Sequence, residues 1–199
     1  MSPNFSLVGT LGPTEKYILL LNMRRKIMQR FIQIISESTE SHIENFNKIE
    51  ELIYTELENS GSTRLVLTLQ KMQWERAVFA IGMFSLFEAE IQNELKVEQG
   101  SAFKELKKRL KEKGKNEIIL RFEEFYYAIN ALKHGRGQSY NKLLENKNLP
   151  FKISSINGVF TNEGDVSEIE TLILVDNGFL EDCLAVIRIC YNEILRMSS

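Results

Sequence analysis

The stretch from Thr63 to Lys96 constrains the fold more than any other part of the chain. It contains no proline and a single glycine. Its apolar residues recur at helical spacing, with Ala77, Ile81, Phe84, Ile91 and Leu95 on one stripe. Met72, Val78, Phe79, Met83, Leu86 and Phe87 carry the apolar character onto other faces. A helix that is apolar nearly all round belongs in the middle of a bundle, with other helices around it. Gly82, Ser85 and Ala89 follow at three- and four-residue spacing and mark a place where another helix can approach closely. Glu88 falls inside the apolar stripe. A buried carboxylate is costly unless paired or hydrogen-bonded. Glu88 is therefore either a structural ion-pair partner, partly exposed near the helix end, or a supporting residue beneath the turn at His134.

The other segments supply the surrounding helices. Residues 1–13 read as a loose N-terminal segment. Residues 14–62 read as N-terminal helices packing on the bundle, with Thr14 as N-cap and Glu15 in the first turn. Ile18, Leu19, Met23, Ile27, Phe31 and Ile34 are spaced for a first helix, and Ile43, Phe46, Ile49, Ile53 and Leu57 for a second segment. The polar run from Ser36 to Ser41 is either a turn between them or a joint within one long helix. Residues 63–199 form the main helical domain. Within it, 97–115 is a short helix with a basic face that includes Lys104, Lys108 and Lys111, and Asn116 to His134 is a further helix. A short helix is expected near Ser139–Glu145, and a last one after Asp176 or Asn177. Between them, about 151–175 has strand character with turn residues at Asn157-Gly158 and Asn162–Asp165. The predicted fold is mainly α, an antiparallel helical bundle with a small C-terminal β-hairpin or irregular two-strand insertion.

Composition excludes some functions and leaves others open. The net charge of -2 gives no global pull toward nucleic acid or membrane, so an anion site has to be a local basic patch. The longest apolar run, Ala77 to Phe84, is far short of the roughly 20 residues of a membrane span. Tyr17 to Leu21 is too short for the apolar core of a secretion signal. Cys183 and Cys190 lie seven apart in a helical stretch, too distant for a mutual disulfide, and read as buried reduced thiols of a cytoplasmic protein. No histidine pair has metal-ligand spacing, and no CxxC, P-loop, GxGxxG or GxSxG occurs. The reading calls for no metal and no cofactor. His42, on a Glu- and Ser-rich helix, is expected to be an exposed bystander.

The most chemically specific stretch is Phe122 to Gly137. On a helical wheel, Ile118, Phe122, Phe125, Ile129 and Leu132 form the core face. Glu123, Tyr127, Asn130 and His134 lie on the opposite side. Histidine is the side chain most used for proton transfer near neutral pH. Lys133 and Arg136 flank it with charge that attracts a phosphate, and Gly135 and Gly137 permit backbone angles that aim amides at an anion. That combination suits phosphodiester chemistry on RNA. The lysines of 104–115, with Lys108 and Lys111 among them, are either a solvated face or an added phosphate-attracting surface.

Two segments resemble the HEPN superfamily of small helical bundles. They are Phe84-Ser85-Leu86-Phe87-Glu88-Ala89-Glu90-Ile91 and the helix end Ile129-Asn130-Ala131-Leu132-Lys133-His134-Gly135. The resemblance covers about residues 63–197. It implies a homodimer and a metal-independent endoribonuclease of a toxin or phage-defence system, in which two copies meet to form one site. In that family a histidine and an arginine assist attack of the ribose 2′-hydroxyl on the adjacent phosphate, and other members are inactive binding modules. Carried over, Asn130 and His134 match the motif, with Arg136 as the nearest cation. Lys133, Tyr127, Gly135, Gly137, Lys108 and Lys111 would hold the substrate, RNA or a nucleotide. The position before Asn130, where the family has arginine, is Ile129, and Arg121 lies thirteen residues before His134. The alternative is a catalytically inactive HEPN-like module that binds a partner protein. Neither reading involves a membrane.

Overall fold

The computed structural model describes residues 12–98, 100–153 and 172–197. They form α1 (Pro13–Leu57), α2 (Thr63–Leu95), α3 (Ala102–Glu112), α4 (Asn116–His134), α5 (Gln138–Glu145) and α6 (Asn177–Met197). The chain is a mainly α helical bundle. α2 packs against α1, α3, α4 and α6, and α6 against α1, α2, α3 and α4.

α1 is one continuous helix of 45 residues. The polar run from Ser36 does not break it. The Ser36 hydroxyl donates to the Ile32 carbonyl, and the Thr39 hydroxyl donates to the Ile35 carbonyl at 2.7 Å. These back-bonds satisfy the hydroxyls within the helix that they could otherwise have ended. α1 begins two residues earlier than the Thr14 cap predicted. Gly12 is its N-cap and Pro13 its first residue, where proline costs no hydrogen bond. The Glu15 carboxylate accepts the Gly12 N–H at 2.9 Å. At the far end of the chain, Asp176 caps α6 by accepting the Phe179 N–H at 2.8 Å.

Two aromatic clusters set how the helices meet. Phe84 of α2, Phe103 of α3 and Phe122 of α4 pack at ring-centroid distances of 5.0–5.8 Å. Phe125 of α4, Phe151 and Phe179 of α6 form a second triangle at 5.2–5.3 Å. Arg76 and Asn177 bond at one end of the α2–α6 contact, and Glu90 and Tyr191 bond at the other, so these two helices run in the same direction. α1 runs against both: Phe31 meets Tyr191, Thr39 meets Met83, and Phe46 lies beneath Arg76.

The predicted α6 core face, Phe179, Leu180, Leu184, Ile187 and Tyr191, is buried throughout. The α2 prediction holds on three sides only. Leu67, Trp74, Val78 and Leu86 are exposed, and so are Gly82, Ser85 and Ala89 beside them. None of the described helices covers this face. Of the predicted hairpin, the described residues contain one antiparallel bridge, Ile153 to Ile173, with the Leu174 N–H donating to the Lys152 carbonyl at 3.1 Å. The rest of the insertion and residues 1–11 of the predicted loose segment 1–13 lie outside the described residues, and Gly12 and Pro13 belong to the start of α1. Among the described residues no helix is long and apolar enough to cross a membrane.

His42 corrects the exposed-bystander expectation. It is half-buried, stacked on Phe79 at 4.2 Å and edge-on to Phe46 at 4.3 Å. Its Nε2 is buried with no hydrogen-bond partner among the described residues. Burial holds its pKa below the ordinary 6.5; Glu75 opposes that shift and Arg76 adds to it. With the folded pKa depressed, the unfolded chain takes up this proton first. The contribution of His42 to stability is therefore complete above about 6.5 and is lost as pH falls through the lower folded value. A His42→Phe variant is expected to lose less stability than the wild type between pH 7.5 and pH 5, as read from urea midpoints at the two pH values. Parallel losses in the two proteins would exclude His42 as the titrating group.

Candidate functional site at the α4–α5 junction

α4 stops where its sequence requires it to. Gly135 takes φ 75 and ψ -150, a conformation that strains any residue with a Cβ, and its N–H donates to the Ala131 carbonyl at 2.8 Å. The chain turns, Gly137 serves as N-cap, and α5 begins at Gln138. Lys133, His134 and Arg136 therefore share one corner between the end of α4 and the start of α5. All three are exposed, and none has a side-chain hydrogen bond or ion pair within the chain among the described residues. Lys133 and His134 occupy the last turn of α4, where positive charge offsets the helix dipole. Arg136 lies beyond it, next to the first-turn amides of α5, which have no partner within their own helix.

The polar stripe running back from His134 is graded. His134 is exposed, whereas Asn130 and Tyr127 are half-buried. Tyr127 packs on the core and its ring meets Tyr126 at 5.6 Å. Glu123 accepts a 2.8 Å hydrogen bond from Lys107 of α3. The stripe therefore faces neighbouring helices for most of its length and reaches open solvent only at His134. On the core side Phe122, Phe125 and Ile129 are buried as predicted, and Ile118 and Leu132 are half-buried. Glu124, Ala128 and Ala131 are buried as well, on the flank where α5 folds back along α4.

Three predicted contributors are elsewhere. Phe103 meets Tyr126 and Lys107 meets Glu123, so α3 runs from there toward the N-terminal end of α4. Lys108 and Lys111 are exposed on that outward run, on the order of 20 Å along the axis from His134. Glu88 is half-buried. The stacking of Phe84 on Phe122 at 5.8 Å places Glu88 alongside the first turns of α4, whereas His134 is twelve residues, about 18 Å, beyond Phe122. Glu88 does not underlie the turn. The cysteines are buried and free, and burial pushes the Cys190 thiol up to about 12 and the Cys183 thiol higher still. Neither is a nucleophile near neutral pH.

Sequence reasoning missed the feature that joins α4 to α5. The two helices enclose an open cleft of about 740 Å³. Glu124 is buried on its floor, accepting from Arg121 Nη1 at 2.9 Å and from Asn146 Nδ2 at 3.0 Å. Asn146 Oδ1 in turn accepts the Asn148 N–H at 3.0 Å. The only trace of this in the sequence is the Arg121–Glu124 spacing of three, common to many exposed helical pairs. Most of the cleft's charge is internally matched, with Glu123 held by Lys107 and Glu145 by Lys142. The cleft is thus a largely apolar groove whose charges are mostly paired, Glu117 being the exception among the described lining residues, and the Lys133–His134–Arg136 corner lies outside it.

Arg121 is more than half exposed, so its ion pair with Glu124 is partly screened. The greater loss on removing Glu124 is the Asn146 amide left without its acceptor. Glu124→Ala is expected to lower unfolding stability by about 1–3 kcal/mol, measured by urea denaturation; a change within error would show that α5 docks without this contact. No family model, curated protein or solved structure matches this chain.

Proposed function

We propose that this chain is a HEPN-like protein that binds RNA through the corner formed by Lys133, His134 and Arg136. The observation that carries the reading is the exposure of three basic side chains, all without partners among the described residues, beside the amides that open α5. Around the cleft, Glu117 and Lys147 apart, the charged side chains are paired among the described residues. Unmatched cations next to free backbone donors favour a phosphate, which accepts from both. Asn130 and Tyr127, one and two turns back along α4 and half-buried, are the next polar side chains that a nucleotide attached to that phosphate would reach.

Binding has more support than cleavage. Ile129 is 3% exposed, so the position that holds arginine in the resembled family is committed to the core. In a cleavage reaction His134 would take the 2′-hydroxyl proton as the 2′-oxygen bonds to phosphorus and the 5′-oxygen leaves. That chemistry needs a second group to protonate the leaving oxygen, which the resembled family supplies from a second copy. Binding needs one corner only. A partner-protein reading also has an observation in its favour, because Leu120 lies exposed beside Tyr127 at the cleft.

Fluorescence anisotropy with a labelled single-stranded RNA separates these readings. The wild type is expected to bind with an affinity that falls steeply with salt. Lys133→Ala/Arg136→Ala is expected to weaken binding by about tenfold with an unchanged circular dichroism spectrum. Salt-independent binding, or equal affinity in the variant, would move the site away from this corner. If the RNA is cleaved by the wild type and equally by His134→Ala, His134 has no part in the chemistry.

A further inference from the structure

The α4–α5 cleft has a shape and a chemistry that the basic corner lacks. Its volume of about 740 Å³ lies within the range of roughly 300–1,000 Å³ typical of small-ligand sites. Leu120, Leu143 and Leu149 give it apolar walls, and Leu120 is 58% exposed. Tyr127 is the one aromatic side chain among the described lining residues.

The charges around this cavity select against a phosphate inside it. Glu117, Glu123, Glu124 and Glu145 line it, against Arg121 and Lys142. Arg121 is bonded to Glu124, Lys142 to Glu145, and Glu123 to Lys107. Glu117 is exposed and has no partner among the described residues. An entering phosphate meets four carboxylates whose counter-charges are already engaged. A neutral planar group meets no such penalty. Its faces pack on the leucines and on the Tyr127 ring. Its edge finds an acceptor in Glu117, an amide in Asn148 and the remaining N–H donors of Arg121. A nucleobase is a group of this kind, flat and apolar on its faces and polar only at its edge.

The cleft is within reach of the phosphate corner. Tyr127 and His134 lie seven residues apart on α4, about 10 Å along the axis and about 20° around it. At the stacked rise of about 3.4 Å per nucleotide, three nucleotides span that distance, and fewer do so when the strand is extended. A strand held by its phosphate at Lys133, His134 and Arg136 can therefore turn a nearby base into the cleft. Only an unpaired base can be turned out in this way, so the arrangement selects single-stranded RNA.

We infer that the α4–α5 cleft is a nucleobase pocket, seating one unpaired base of a strand whose phosphate is held at the His134 corner. The pocket presupposes the RNA reading of that corner. It adds what three cations cannot supply, a preference for bases over bare backbone. Tyr127 is its stacking platform and Leu120 its apolar wall.

Fluorescence anisotropy of the full chain with a labelled single-stranded hexacytidylate RNA, and with the same strand carrying abasic riboses, tests this. The wild type is expected to bind the intact strand about tenfold more tightly than the abasic one. Leu120→Gln, at an exposed position, and Tyr127→Leu, with an unchanged circular dichroism spectrum, are expected to bring the intact strand close to the abasic one. Both variants keep the wild-type affinity and salt dependence for the abasic strand. Lys133→Ala/Arg136→Ala is expected to weaken both strands alike. Equal affinity of the wild type for the two strands, or an undiminished preference in both cleft variants, overturns the base pocket and leaves the corner in place. Absence of binding by either strand overturns the corner, and the base pocket with it.

Discussion

The bundle depends on one buried cation. Arg76 is almost fully enclosed, bonded through Nη1 to Glu50 of α1 at 2.8 Å and through Nε to the Asn177 side chain of α6 at 3.2 Å. Its guanidinium lies over the Phe46 ring at 4.6 Å, and Asn177 continues the network to Asn47 at 2.7 Å. A buried charge tolerates few alternatives, because losing Glu50 leaves it uncompensated and losing Asn177 leaves a donor unpaired. One side chain thus fixes the level at which α1, α2 and α6 cross. Hydrophobic packing would accept a slip of one turn far more readily. Through Phe179, which lies two residues beyond Asn177 and meets Phe125, the same level is passed on to α4.

That register decides what can belong to one site. Because α4 runs against α2 and α3, the basic face of α3 and the acid of α2 fall at its beginning while His134 falls at its end. Two patches that look adjacent when cations are counted along the chain are separated by most of a helix. The His134 corner consequently depends on its own three basic side chains and on α5.

Much of this was legible in the residues, within definite limits. The α2, α4 and α6 periodicities named their buried faces correctly because burial there follows directly from a 3.6-residue repeat. Periodicity shows which face is apolar. It does not show whether that face has a partner, so exposed apolar residues such as Ile27 of α1 and Val78 of α2 could not be told from core. His42 looked isolated because its neighbours in the chain are Glu and Ser; Phe79, which stacks on it, is 37 positions away. Glu124 was hidden for a related reason. Its burial follows from an eight-residue helix folding back across it, and no local pattern announces that return.

The tie between Glu124 and Asn146 carries one more implication. An eight-residue helix has little stability of its own, so α5 holds its shape by borrowing from α4. The carboxylate, the amide and Arg121 then form a unit whose members have value only together. In a set of relatives these three positions should vary as a block, while Lys133 and Arg136, bound to nothing among the described residues, remain free to drift unless something outside the chain holds them.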